Sequence, residues 1–228
     1  GDSDEDRTAY GEVVLAAIGR VPNTDADWFR SSGLKLDERG YVTVDGYGRT
    51  NLDGVWALGD ITPGHALAHR AFEQGITIAE KIAGADPKPV IDDTVPQVVF
   101  SFPEAASVGL TLDQAKARED VVEPKETAYP MLSNARMLMS GEGGSMTVVS
   151  GAFANNPDMQ VVLGVHIVSP IASDLIAEAE QLVGNRVPLA DAARLIHPHP
   201  TFSETLGEAL LKADGQIGRA SCRERVSS

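Results

Sequence analysis

Apolar and polar positions along this chain change period several times, and each change predicts an element. Residues 12–18 (EVVLAAI) form a short apolar run closed by Gly19-Arg20, the pattern of a strand buried on both faces. Pro22-Asn23 marks a turn, and residues 28–32 predict a short helix ended by Gly33. Residues 41–45 (YVTVD) alternate and are rich in β-formers, and residues 55–58 (VWAL) read as a second strand running into Gly59-Asp60. A helix over 66–82 follows, with Leu67, Ala71, Ile78 and Ile82 on one stripe. Two prolines and a glycine in 84–89 predict a linker.

Beyond the linker, residues 97–100 and 106–108 predict strands, and Thr111-Leu112-Asp113-Gln114 opens a short helix. Residues 146–150 and 159–168 read as paired strands joined through a turn region at 151–158. Ser169-Pro170 reads as an N-cap with proline at the first helical position. The helix that follows places Leu175, Ile176, Ala179, Leu182 and Val183 on one face and Asp174, Glu178 and Gln181 on the other. Short helices over 188–195 and 204–212 complete the pattern. Strands followed by segregated helices predict an α+β second domain, and no internal repeat is present.

Composition then removes several function classes. A net charge of −14 gives no electrostatic support to nucleic-acid binding. No apolar run is long enough to span a membrane, and the acidic start lacks a signal-peptide core. The absence of an initiating Met suggests a chain entered part-way. One cysteine, Cys222, excludes an internal disulfide. It sits in a stretch after Gly215 without apolar periodicity, which reads as a non-native tail.

Three places carry candidate chemistry. Gly59-Asp60 ends a predicted strand, where α/β proteins bind ligands; Asp60 can accept from sugar-like hydroxyls, or simply cap the turn before the helix. His65 and His69 stand four apart, a possible metal spacing if both are helical, but no third ligand is evident and no metal site is expected. The last is Ile196-His197-Pro198-His199-Pro200-Thr201-Phe202-Ser203-Glu204. Glu204 either orients an imidazole for proton transfer or completes a Thr201-x-x-Glu204 capping box on a proline-stiffened loop. Spacing alone leaves both readings open.

Four segments, in order, resemble the flavoprotein disulfide reductases (pyridine nucleotide-disulfide oxidoreductases). Residues 13–24 (VVLAAIGRVPNT) resemble the end of their NAD domain. Residues 55–60 (VWALGD) with 66–71 (ALAHRA) resemble their second FAD-contacting segment. Residues 96–109 (PQVVFSFPEAASVG) resemble the opening of their interface domain, and 197–204 the terminal catalytic motif. Within the family the dihydrolipoamide dehydrogenase branch is most similar; mycothione and mercuric reductase types, and a non-enzymatic dimerisation module, are the alternatives.

The resemblance implies an α/β remnant of the FAD- and NAD-binding domains, followed by an α+β interface domain with an antiparallel sheet and flanking helices. It divides the chain into 1–24 (end of the NAD domain), 25–90 (second FAD segment), 91–215 (interface domain) and 216–228 (a tail outside the family). It implies FAD and NAD as cofactors, with Asp60 at the FAD ribityl or pyrophosphate region. Ala66, Leu67, Ala68 and His69 would lie beside the flavin pyrimidine, and Gly19 at the NAD site. His199 would be the acid/base, Glu204 its orienting partner, and His197 a neighbour. It further implies a cytoplasmic homodimer serving the lipoyl domains of 2-oxo acid dehydrogenase complexes. The family's glycine fingerprints and redox cysteine pair are absent, since Gly141-Glu142-Gly143-Gly144 is only a glycine-rich turn. The chain therefore reads as a C-terminal half, expected to be inactive and to bind little or no FAD alone.

Overall fold

A computed structural model describes residues 10–216. The predicted tail and Cys222, and the acidic start, lie outside them. The chain divides into two compact units, the first ending at Pro87 and the second beginning at Lys88.

Among its described residues the first unit holds the α-helices α1 (Asp27–Ser31) and α2 (Ala68–Ile82). Its small core is Phe29, Val42 and Ala57, with Val44 and Ile61 packed against them. The strands predicted at 41–45 and 55–58 are reduced to single antiparallel bridges, Leu36 with Val42 and Arg49 with Trp56. The apolar run at 12–18 forms no strand. Val13, Val14, Leu15 and Ile18 are 87–99% exposed. A strand buried on both faces needs a neighbour on each edge to take its N–H and C=O groups, and no described segment of this unit pairs with it.

The second unit is α+β. It contains β1 (Gln97–Val99), β2 (Glu104–Gly109), α3 (Leu112–Ala117), β3 (Val121–Pro130), α4 (Ala135–Ser140), β4 (Ser145–Phe153), β5 (Asn156–Ser169), α5 (Ala172–Gly184), α6 (Leu189–Ala192) and α7 (Glu204–Ala213). The strands form one antiparallel sheet in the order β1-β2-β5-β4-β3. On one face Ala106, Val108, Met146, Val148, Val165 and Ile167 meet Leu175, Ile176 and Ala179 of α5 and Leu206, Ala209 and Leu210 of α7. α5 lies over β2 and β5, and α7 over β3 and β4. A smaller cluster of Leu110, Ala115, Val149, Val161 and Leu163 is built around α3. Burial of these side chains is the main force holding the helices to the sheet.

Several boundaries differ from the sequence reading. The paired strands extend to 145–153 and 156–169, so the turn shrinks from 151–158 to Ala154-Asn155. Gly109 and Gly164 stand opposite one another, and a Cβ on either would fall 2.2 Å from a backbone oxygen. That glycine pair lets β2 and β5 run closer than side chains allow. Ser169 is the last residue of β5, not a helix cap. α5 begins at Ala172, and its first turn is capped from β2, where a Glu104 carboxylate oxygen accepts from the Ser173 amide at 2.8 Å. That bond holds the Glu104 carboxyl below its ordinary range. The short helix predicted to open at Thr111-Leu112-Asp113-Gln114 is α3, and Thr111 caps it in a complete box with Gln114. The pattern did not single out β3, whose ladder shifts between Val122 and Lys125 around Pro124, nor α4.

Candidate functional site

The His-Pro-His-Pro segment runs from the end of α6 to the start of α7, and each side chain in it has a distinct fate. His199 Nδ1 lies 2.9 and 3.0 Å from the two oxygens of Glu204. The Glu204 side chain is 9% exposed, whereas the His199 side chain is 60% exposed. Glu204 is the first residue of α7, so burial and the helix start fix its position, and the carboxylate also accepts from the Thr201 amide at 3.0 Å. An Nδ1–H donated to the carboxylate leaves Nε2 as the basic nitrogen on the exposed ring.

Half of the predicted capping box is therefore present. Glu204 reaches back to the Thr201 amide, but the Thr201 hydroxyl donates to the Pro198 carbonyl at 2.6 Å instead of accepting from α7. Ser203, not Thr201, precedes the helix. The glutamate thus holds a helix start and an imidazole at once, so the two readings of the segment coexist.

The loop is strapped from α4 as well. Asn134 caps α4 through its side-chain oxygen, and its amide nitrogen donates to the Thr201 carbonyl at 3.1 Å. The Arg136 guanidinium sits 5.5 Å from the centre of the Phe202 ring. These partners, about 65 residues upstream, left no trace in the local pattern.

His197 turns inward. Its Nε2 lies 2.7 Å from Glu178 of α5, and its side chain is 9% exposed. The Glu178 carboxylate raises the His197 pKa above its ordinary value against the opposing effect of burial, helped by the Leu195 backbone and by Glu204. Glu178 belongs to the face of α5 read from sequence as polar, and its partnership across 19 residues was invisible there.

In the first unit, Asp60 lies in a 3₁₀ turn, Gly59–Ile61. Its carboxylate is half exposed and meets the Arg20 guanidinium at 2.9 Å. The turn is held by Gln74, whose side-chain oxygen accepts from the Gly59 amide at 2.9 Å, and by Thr62, which donates to the Gly59 carbonyl at 2.8 Å. α2 starts at Ala68, with Leu67 before it and no side-chain cap. Ala66 and Leu67 therefore precede the helix, and Ala68 and His69 form its first turn. A half-exposed carboxylate can accept hydrogen bonds from hydroxyls, and the backbone N–H groups of a helix start can donate to carbonyl oxygens. Gly19 has no atom within 4 Å of where its Cβ would lie. His65 precedes α2, so it and His69 do not share a helical face. No group of three or more metal-ligating side chains exists among the described residues.

Residues 95–210 match the pyridine nucleotide-disulphide oxidoreductase dimerisation domain, and residues 2–75 match the pyridine nucleotide-disulphide oxidoreductase domain. The chain belongs to the pyridine nucleotide-disulphide oxidoreductase family. A dihydrolipoyl dehydrogenase of Cupriavidus necator is 41% identical over 210 residues, covering 91% of this chain and 42% of that protein. One from Thermus scotoductus is 38% identical over 199 residues, covering 87% of this chain and 41% of that protein. The crystal structure of LpdA from Mycobacterium tuberculosis superposes with a TM-score of 0.76 at 31% identity, covering 86% of this chain and 42% of that one. The flavoprotein disulfide reductase RclA from Escherichia coli shares the fold, with a TM-score of 0.73 at 23% identity, covering 85% and 43%. The chain spans about two-fifths of the length of these relatives. Among the described residues no helix is long and apolar enough to cross a membrane.

Proposed function

We propose that this chain supplies the acid/base side of the active site of a flavoprotein disulfide oxidoreductase of the dihydrolipoamide dehydrogenase type. The observation that carries the reading is the His199–Glu204 pair: a buried carboxylate grips one nitrogen of an exposed imidazole and leaves the other for chemistry. The reaction removes two electrons and two protons from a dithiol, forming its disulfide, and passes a hydride to NAD⁺. The thiolate, not the thiol, attacks a disulfide sulfur. His199 Nε2 takes the thiol proton, and Glu204 stabilises the imidazolium that results and fixes the ring tautomer. Asp60 and the start of α2, Ala66 to His69, would hold FAD, which supplies the two-electron acceptor when bound. Gly19 would border the NAD site. The interface domain over 91–215 would form a homodimer that brings His199 to the redox disulfide of the partner subunit. Lipoyl domains of 2-oxo acid dehydrogenase complexes are the partners, in a cytoplasmic setting.

The test uses an intact protein that carries this chain together with the redox disulfide. His199→Gln is expected to lower turnover about 10²–10⁴-fold, the usual worth of positioned acid/base catalysis, with the flavin retained. Unchanged turnover overturns the role. The chain alone is expected to show no lipoamide turnover and little flavin absorbance after purification.

A further inference from the structure

Two contacts between the 197–199 segment and α7 are nested. His199 meets Glu204, and His197 meets Gly207, one helical turn further on. Residues three apart share a helix face, so Glu204 and Gly207 present one surface to the incoming segment. The second contact is unusually close. A Cβ built on Gly207 would lie 2.6 Å from His197 Nδ1 and 2.9 Å from Cε1, so the ring rests on bare α7 backbone. On its other nitrogen the same ring is held by Glu178 of α5 at 2.7 Å. His197 is therefore clamped between two helices, while His199, two residues later, projects outward with one partner.

Beside this clamp is a cleft of about 150 Å³ lined by Leu195, Ile196, His197, Glu204, Gly207 and Glu208, among others. The cleft runs along the same part of α7 on which the segment rests. A shift of roughly 1 Å would open both His199–Glu204 contacts beyond hydrogen-bonding distance. The loop straps from Asn134 and Arg136 act after His199 in the chain, on Thr201 and Phe202. Before it, Thr201 holds the Pro198 carbonyl at 2.6 Å from within the loop, and the His197 clamp ties the segment to α5 and α7.

We infer that Glu178 and His197 are positioning residues for the His199–Glu204 pair: a second histidine–carboxylate couple, seated on Gly207, that fixes the register in which His199 reaches Glu204. The inference concerns geometry, and it rests on the proposed function for its catalytic meaning.

The chain labelled with ¹⁵N in its histidine rings tests it by NMR near neutral pH, with His199 assigned by the His199→Gln spectrum. The chain is expected to give two widely separated ring-nitrogen signals for His199, the mark of one fixed tautomer with Nδ1 protonated. In His197→Gln and in Glu178→Ala these collapse toward an averaged pair, while the amide spectrum stays native. Glu178→Gln, which keeps an oxygen acceptor for Nε2–H, restores the separation. A folded His197→Gln or Glu178→Ala chain with the separated pair intact overturns the inference. If His197→Gln does not fold, the two Glu178 variants decide alone. The readout needs neither flavin nor turnover, so a catalytically silent His199 in the intact enzyme would sink the proposed function and leave this inference standing.

Discussion

Gly207→Ala sets two magnitudes against each other. Gly207 lies inside α7, where replacing glycine by alanine gains about 1 kcal/mol from helix propensity alone. The new methyl would stand 2.6 Å from His197 Nδ1, and ordinary non-bonded contact needs about 3.5 Å, so the ring must move by roughly 1 Å. It cannot back straight away, because Glu178 meets its other nitrogen at 2.7 Å, so it must swing and break that bond. Breaking it leaves a buried ring nitrogen without its charged partner, a loss of about 2–4 kcal/mol. The clash therefore outweighs the propensity gain, and a net loss on the order of 1–3 kcal/mol is expected. For a unit of this size that is a drop in Tm of roughly 3–10 °C. Thermal unfolding followed by far-UV circular dichroism measures it. Gly75→Ala is the matched control: Gly75 is inside α2 with nothing within 4 Å of its Cβ position, so propensity alone acts and stability rises by about 1 kcal/mol. A Gly207→Ala chain as stable as the unsubstituted one, or more so, refutes the reasoning.

Other outcomes follow from the same geometry. The His197 pKa is raised in the folded chain, chiefly by Glu178 with Glu204 also nearby, so its stabilising contribution is complete below its unfolded value of about 6.5 and is lost as pH rises through the folded value. The stability difference between the chain and His197→Gln, measured by urea unfolding, should shrink accordingly with rising pH; a difference that grows would reverse the assignment. Glu104 has a lowered pKa, so its cap on α5 acts above the ordinary carboxylate range and disappears as pH falls through the folded value. Glu104→Ala should melt earlier than the parent chain at neutral pH and converge with it in acid. Leu210 is fully buried between α7 and the sheet, and Leu210→Ala should cost about 2–5 kcal/mol in a urea titration.

The apolar face of α5 and the start of α3 were legible in the sequence because a helix writes its buried stripe and its opening residues within a few positions. β3 was not, because Pro124 breaks its alternation and Glu123 takes a positive φ of 49° at the ladder shift. The run at 12–18 misled for the opposite reason: its residues suit a buried strand, but burial depends on neighbours that the local pattern does not encode. At the site, His199 and Glu204 lie five residues apart and could be paired on paper. Glu178, Asn134 and Gly207 could not, since each reaches the loop through tertiary packing. A glutamate on the polar face of a helix looks like solvated charge until the fold brings a histidine to it.

The shift in β3 also bears on how this sheet behaves among other molecules. Open edges invite pairing with a second chain, the first step toward aggregation. Here one edge is β1, only three residues long. The other, β3, is ten residues long but carries Pro124, which has no amide to donate, and the exposed charges Glu123, Lys125 and Glu126. Lys212 reaches over from α7 to occupy the Ala128 carbonyl at 2.9 Å. The irregularity that hid β3 from the pattern also makes it a poor template for a stranger's strand.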